Sequence, residues 1–116
     1  MCKIRAIIKR PDEQVGHVSA ISPTLENLQK TVGGYIEAVR MLPFGCAKDG
    51  YYILCDEEGR YKKNDFNCMV KGVPFLGTII VIGSKGEEFT DCPLSFSEWK
   101  ELVNTGGNGQ RMDRRE

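Results

Sequence analysis

The segment 77–83, GTIIVIG, is the most apolar stretch of the chain and limits the possible folds more than any other feature. Its four consecutive aliphatic residues, Ile79 to Ile82, do not alternate with polar ones, a pattern typical of a strand buried on both faces. With 116 residues, the chain has the size of one compact domain. The sequence therefore predicts a single domain built around this central strand.

Five other segments are predicted to be strands because they alternate polar and apolar residues or are rich in β-prone residues. In chain order they are Lys3–Lys9, Val15–Ile21, Tyr35–Leu42, Tyr51–Asp56 and Glu87–Thr90. The first alternates as a strand with one buried face. Turn-forming residues join the first two segments and also the next two, so each pair is expected to form an antiparallel hairpin. The segment 60–67, RYKKNDFN, is too polar for a buried element, and we expect an irregular connection there.

Two segments have the spacing of amphipathic helices. Either Ser22, which precedes Pro23, or Thr24 is predicted to cap the first helix, and Gly33 with Gly34 ends it. Its apolar stripe consists of Leu25, Leu28 and Val32. The second helix, 95–103, is predicted to begin at a capping box formed by Ser95 and Glu98.

The predicted fold class is α+β, with about six mainly antiparallel strands and two helices in the order ββαββββα. Both helices are expected to pack against one face of the sheet, and Trp99 is expected to anchor the second one while its indole N–H finds a partner. Residues 1–104 form the domain. Residues 105–116 are rich in glycine and charge and are predicted to be a disordered C-terminal tail.

Charge and cysteine content exclude several classes of protein. Sixteen basic residues balance sixteen acidic ones, so nothing favours binding to a nucleic-acid backbone. The five cysteines include no C-x-x-C pair, and the amino-terminal apolar stretch is too short for a signal peptide. We therefore expect a cytoplasmic protein with reduced, mostly buried thiols, no membrane segment, no metal and no cofactor.

Two carboxylates on the second predicted hairpin are the main candidates for a site. If Leu42 lies opposite Tyr51, then Glu37 lies opposite Asp56 on one face of the sheet. A nearby cation, water or amide such as that of Asn67 would then have to compensate the repulsion. In the alternative interpretation, Glu37 binds backbone amides near the helix end and Asp56 caps the turn that follows it.

Several short motifs together resemble a known family. They are Leu28-Gln29, the run from Val32 to Glu37, the acidic turn 56–59, Asn67, and Gly77-Thr78 before the apolar strand. In this order they resemble the DUF3846 family of small proteins carried by bacteriophages, conjugative elements and their hosts, over residues 3 to 100. The resemblance implies a mixed α+β domain and a role as a mobile-element accessory protein. Family members have Arg after the Asn, whereas Cys68 follows Asn67 here, so an anion held by that Arg is not expected.

Together with the residues above, the resemblance implies a non-enzymatic module that binds a host protein or a small ligand. The predicted binding residues are Gly34, Tyr35, Glu37, Asp56, Glu58 and Asn67. A free strand edge at 3–9 or 87–90 is a possible surface for a homodimer or a partner's strand.

Two alternative functions remain open. The first is a nucleotide-sequestering counter-defence protein, in which Tyr35, Tyr52 or Phe66 stacks the base and Lys62 or Lys63 meets phosphate. The second is a metal-assisted hydrolase that uses the two carboxylates of the hairpin.

Overall fold

The computed structural model of the chain describes residues 3–59 and 65–112, with side chains described as far as Asn104. It contains two helices and eight strands and confirms the α+β class. In chain order the elements are β1 (Ile4–Lys9), β2 (His17–Ile21), α1 (Leu25–Val32), β3 (Ile36–Met41), β4 (Tyr51–Asp56), β5 (Phe66–Val70), β6 (Val73–Leu76), β7 (Ile79–Lys85), β8 (Glu88–Thr90) and α2 (Phe96–Met112). Within these ranges, neither helix is long and apolar enough to cross a membrane.

The main sheet is antiparallel and has the order β2-β1-β7-β4-β3, with β8 paired to β7. The central position of β7 is confirmed: residues 79–83 are all buried. The prediction for β1 is wrong in two respects. This strand lies between β2 and β7, so it does not have the free edge that was predicted. Its last four residues are all buried, so both of its faces are covered there rather than one.

The two helices lie on opposite faces of the sheet, so the prediction that both pack on one face is wrong. Leu28 and Val32 of α1 belong to the core that contains Ile80 and Ile82 of β7. Trp99 and Leu102 of α2, together with the β5–β6 hairpin, belong to the other core, which contains Ile79 and Val81. A central strand that is apolar on both faces needs a covering layer on each of them.

The β5–β6 hairpin was not predicted, and it overlaps the predicted irregular connection 60–67 only at Phe66 and Asn67, while residues 60–64 lie outside the described residues. Val70 pairs with Val73 across the two-residue turn Lys71-Gly72, and both turn residues have positive φ, 53° and 83°. This is the backbone geometry of a tight hairpin, although Lys is rare in the first turn position. Pro74 inside the short strand β6 further conceals the strand in the sequence.

The predicted helix caps are present. Thr24 is the N-cap of α1, since its Oγ1 accepts a hydrogen bond from the Asn27 N–H at 3.2 Å, and Gly33 ends the helix with φ 88°. The capping box of α2 is confirmed, because Ser95 Oγ accepts from Glu98 N at 3.1 Å and Glu98 Oε1 accepts from Ser95 N at 3.0 Å. The helix continues to Met112, beyond its predicted end. The disorder of residues 105–116 stays a prediction, since no side chain beyond Asn104 is described.

Trp99 anchors α2 as predicted. It is fully buried, and its indole Nε1 donates to the carbonyl of Val15 at 2.7 Å, which ties the helix to the β1–β2 connection. Of the four described cysteines, all reduced, Cys55, Cys68 and Cys92 are buried and Cys46 is exposed.

Candidate functional site

The register of the β3–β4 hairpin decides which predicted site residues meet. Met41 pairs with Tyr51, and Glu37 therefore pairs with Cys55 rather than with Asp56. The prediction that Glu37 and Asp56 face each other is wrong by one residue. Because side chains alternate along a strand, this single step places the two carboxylates on opposite faces of the ladder.

Asp56 has a local structural role. The residue is only 6% exposed, and its Oδ1 accepts a hydrogen bond from the Glu58 N–H at 2.9 Å. The turn closes with a bond from the Gly59 N–H to the Asp56 carbonyl at 3.0 Å. The half of the alternative interpretation in which Asp56 caps this turn is therefore confirmed.

Glu37 has no such role. Its side chain lies on the same face of β3 as Val39 and is exposed. Within the described residues, neither Glu37 nor Glu57 makes a side-chain hydrogen bond or ion pair, so the expected contact of Glu37 with backbone amides is not found. Nothing in the described part of the chain therefore neutralises either carboxylate.

A groove lies beside Glu37, between the β3–β4 pair and strand β6, with a volume of about 380 Å³. We call it the β3–β6 groove. Its lining consists of Glu37, Val39, Cys55, Asp56, Glu57, Gly59, Val73, Pro74, Phe75 and Leu76. The volume falls within the range of small-molecule sites in proteins.

The groove combines apolar walls with negative charge. Cys55 and Phe75 are buried beneath it, and Val39 and Val73 pack against the same core. Glu37 and Glu57 add two carboxylates without intramolecular partners among the described residues. Such a site can bury an apolar group while it attracts a positive one. Among the described residues, no three His, Cys, Asp or Glu side chains are grouped to hold a metal ion.

Asn67 lies outside this groove, in a buried polar contact with β1. Its Nδ2 donates to the carbonyls of Lys9 at 2.8 Å and Gly77 at 2.7 Å, and its Oδ1 accepts from Lys9 Nζ at 2.8 Å. Lys9 is only 2% exposed. Burial raises the pKa of the adjacent Cys68 thiol to about 11, although the Lys9 ammonium acts in the opposite direction. The contact joins β5, β1 and the start of β7.

The remaining predicted residues, Gly34, Tyr35 and Glu58, are not part of the groove lining. Gly34 donates its N–H to the Gln29 carbonyl at 3.1 Å, and the Tyr35 carbonyl accepts from Glu57 N at 2.9 Å. The Tyr35 residue is 65% exposed. Glu58 is exposed in the turn after β4.

The aromatic and basic residues of the nucleotide hypothesis do not converge in the described part of the chain. Tyr52 packs with the core under α1, on the other face of the sheet from the groove, and Phe66 is 56% exposed on β5. Lys62 and Lys63 lie outside the described residues, as does Tyr61.

The lining contributed by β6 was missed from the sequence. No residue type in 73–76, VPFL, indicates a ligand, and the only available signal was the apolar content around Pro74 after a Lys-Gly turn. These residues belong to the site because the hairpin folds over β4, a contact between segments about 20 residues apart in the chain.

The geometry defines a small α+β domain with an acidic-rimmed groove between a sheet edge and a covering hairpin. The family model described as "Domain of unknown function (DUF3846)" matches residues 4–104. The chain therefore belongs to the DUF3846 family. No curated protein and no solved structure matches it significantly.

Proposed function

We propose that this DUF3846 protein is a non-enzymatic binding module that holds a segment of a host protein or a small ligand in the β3–β6 groove. The observation that carries the proposal is the combination of buried apolar walls with the carboxylates of Glu37 and Glu57, which have no partner among the described residues. In this proposal the protein acts in the cytoplasm as an accessory protein of a phage or mobile element, the setting that the family resemblance implies.

The electrostatics of the groove favour a neutral or positively charged ligand. A phosphate group placed beside Glu37 and Glu57 would meet two like charges at short range. The groove therefore suits a nucleotide or a nucleic-acid backbone poorly. A metal-assisted hydrolase needs carboxylates that share one cation, and Glu37 and Asp56 lie on opposite faces of the sheet.

A thermal-denaturation screen tests the proposal, because a ligand that binds only the folded state raises the unfolding midpoint. The wild type, Glu37→Gln and the control Glu26→Gln are screened against nucleotides, cyclic dinucleotides, divalent cations and short basic peptides. Glu26 is exposed on α1, on the opposite side of the sheet. We expect a groove ligand to shift the wild type and Glu26→Gln more than Glu37→Gln. Equal shifts in all three proteins would place the site elsewhere.

A further inference from the structure

Strand β3 offers an unpaired backbone edge next to the groove. It is an end strand of the main sheet, and β4 is its only partner among the described strands. The Glu57 N–H donates to the Tyr35 carbonyl, so the backbone groups of Tyr35 point toward β4. In an antiparallel pair, every second residue has its N–H and C=O directed at the partner strand, so those of Glu37 and Val39 also face β4. The N–H and C=O groups of Ile36, Ala38 and Arg40 therefore point outward. No protein group in the described part of the chain bonds to them.

The same strand also contributes to the lining of the groove. The side chains of Glu37 and Val39 project from β3 into its lining, while β6 forms the facing wall. Pro74 of β6 has no N–H to offer a pairing strand, so β3 is the better template of the two. Two of the most exposed large apolar side chains flank β3: Tyr35, at 65%, precedes it, and Leu42, at 78%, follows it.

We infer that the occupant of the groove is an extended segment of a partner protein that pairs with β3 as an added strand. It carries a basic side chain beside Glu37 and an apolar side chain beside Val39. The inference rests on the proposed function and deepens it by naming the partner's chemistry. Main-chain hydrogen bonds to β3 supply affinity, and the alternate side chains that enter the groove supply specificity.

The charge pattern of β3 favours such a segment over a second copy of this chain. A twofold antiparallel pairing through the outward groups of Ile36, Ala38 and Arg40 centres on Ala38. In this pairing, Glu37 of each copy would lie opposite Val39 of the other copy. The two Glu37 side chains would then be diagonal neighbours on the same face of the pair. No opposite charges would meet on the groove side. A basic residue in a partner segment satisfies Glu37, and Glu57 adds attraction from the neighbouring turn.

The test uses a synthetic peptide, Thr-Arg-Thr-Val-Thr-Arg-Thr, blocked at both ends. Its symmetry places an Arg beside Glu37 and the Val beside Val39 in either strand direction. A second peptide replaces both Arg by Glu. A third keeps the Arg residues but carries N-methyl groups on the Val and both neighbouring Thr, which removes backbone donors without changing charge. Titration calorimetry at low ionic strength measures the affinity of each for the full chain.

We expect the wild type to bind the Arg peptide at least about tenfold more tightly than the Glu peptide or the methylated peptide. Glu37→Lys should change the ratio of the two affinities by about tenfold in favour of the Glu peptide, whereas Glu26→Lys should leave this ratio unchanged. Ala38→Pro removes an outward N–H without touching the β3–β4 ladder, and it should abolish binding of the Arg peptide. Circular dichroism checks the fold of each variant.

Each contrary outcome overturns a defined part of the inference. Equal binding of the methylated peptide would show attraction by charge alone, and an unchanged preference in Glu37→Lys would exclude a basic residue at that position. A wild-type dimer that Ala38→Pro converts to a monomer would identify a second copy as the occupant. No binding of any peptide at millimolar concentration defeats strand addition. If no peptide binds but the thermal-denaturation screen finds a ligand that depends on Glu37, the groove remains a binding site and only strand addition fails. If the screen also finds no such ligand, the proposed function and strand addition both fail.

Discussion

At the residue scale, the contact between Lys9 and Asn67 shows how a buried charge is accommodated. The Lys9 ammonium lies in the interior with only carbonyl oxygens around it: Asn67 Oδ1 at 2.8 Å, and the Asn67 and Arg10 carbonyls at 3.5 Å. Among the described residues, no carboxylate bonds to it. The Asn67 amide is therefore the main group that compensates the cost of burying this side chain.

Replacing Asn67 by Ala should lower the free energy of unfolding by about 2–4 kcal/mol, because it leaves Lys9 Nζ and two carbonyls without their partner. Urea denaturation measures the change. Asn104→Ala, at an exposed position on α2, is the control and should cost less than about 0.5 kcal/mol. The double variant Lys9→Met with Asn67→Leu should cost less than the sum of its single variants. Additive costs would contradict a coupled pair.

The residue scale also shows how far the candidate site could be predicted. Glu37 was selected because an assumed hairpin register placed it opposite Asp56 and because it belongs to the family motif. The structure places it on the groove, although that register is wrong by one residue. Asn67 was selected through the family resemblance, and the structure gives it a role in holding β5 against β1. No local pattern distinguishes an amide that meets a ligand from one that bonds a distant backbone carbonyl.

At the element scale, Glu98 connects the β3–β4 loop to the start of α2. Its Oε1 completes the capping box with Ser95, and its Oε2 accepts from the Cys46 N–H at 2.9 Å. Gly45 lies directly against this carboxylate, and a Cβ added there would overlap it. The loop is long, so its anchoring on α2 contributes to the β3–β4 register that the sequence left open.

Gly45→Ala should therefore destabilise the protein by displacing the Glu98 carboxylate in addition to straining a residue with φ 55°. Gly72→Ala is the matched control, since Gly72 has φ 83° but open space at its Cβ position. We expect Gly45→Ala to cost about 1–2 kcal/mol more than Gly72→Ala in chemical denaturation. Equal costs would show that the loop does not depend on this contact.

The pH dependence of stability should report the same contact. The hydrogen bond that the Ser95 N–H donates to Glu98 is the main cause that holds the pKa of Glu98 below its ordinary value of 4.5, and the hydrogen bond from the Cys46 N–H acts in the same direction. The charged carboxylate is thus favoured in the folded state, and its contribution is present above pH 4.5 and lost as the pH falls through the lower folded pKa.

Glu98→Gln should accordingly differ most from the wild type in free energy of unfolding at neutral pH, and the difference should shrink below pH 4.5. Denaturant titrations across this pH range measure it. Glu87→Gln, in the exposed β7–β8 turn, serves as control and should show no such trend. A constant difference for Glu98→Gln would contradict a role for the charged form.

At the scale of the whole molecule, the sheet is covered by α1 on one face and by α2 with the β5–β6 hairpin on the other. The described side chains of α2 that pack into this second core end at Val103. The sequence beyond Asn104 contains Gly106, Gly107 and Gly109, each unfavourable inside a helix by about 1 kcal/mol. We infer that the last turns of α2 add little to the stability of the fold.

A chain that ends at Asn104 should melt within about 2 °C of the full chain in calorimetry. Hydrogen exchange of the full chain should show little protection in residues 105–112. Leu102→Ala, at a residue 2% exposed, is the contrasting variant and should lower stability by about 2–5 kcal/mol. A large drop in the melting temperature on truncation would show that the terminal segment packs on the domain.

The sequence alone determined the features that depend on neighbouring residues. Hydrophobic runs and periods predicted β7 at the centre of the sheet, Gly33 at the end of α1 and the capping box at the start of α2, because these features rely on local backbone bonds and burial. For the N-cap of α1 the sequence offered Ser22 or Thr24, and the structure selects Thr24.

Only the tertiary structure decided the rest. The register that separates Glu37 from Asp56, the placement of the helices on opposite faces, and the β6 wall of the groove all depend on contacts between distant segments. A one-residue shift in pairing leaves the local propensities of both strands unchanged, yet it moves every side chain of the strand to the other face. The groove could therefore not be assembled from the sequence, although one of its carboxylates could be found there.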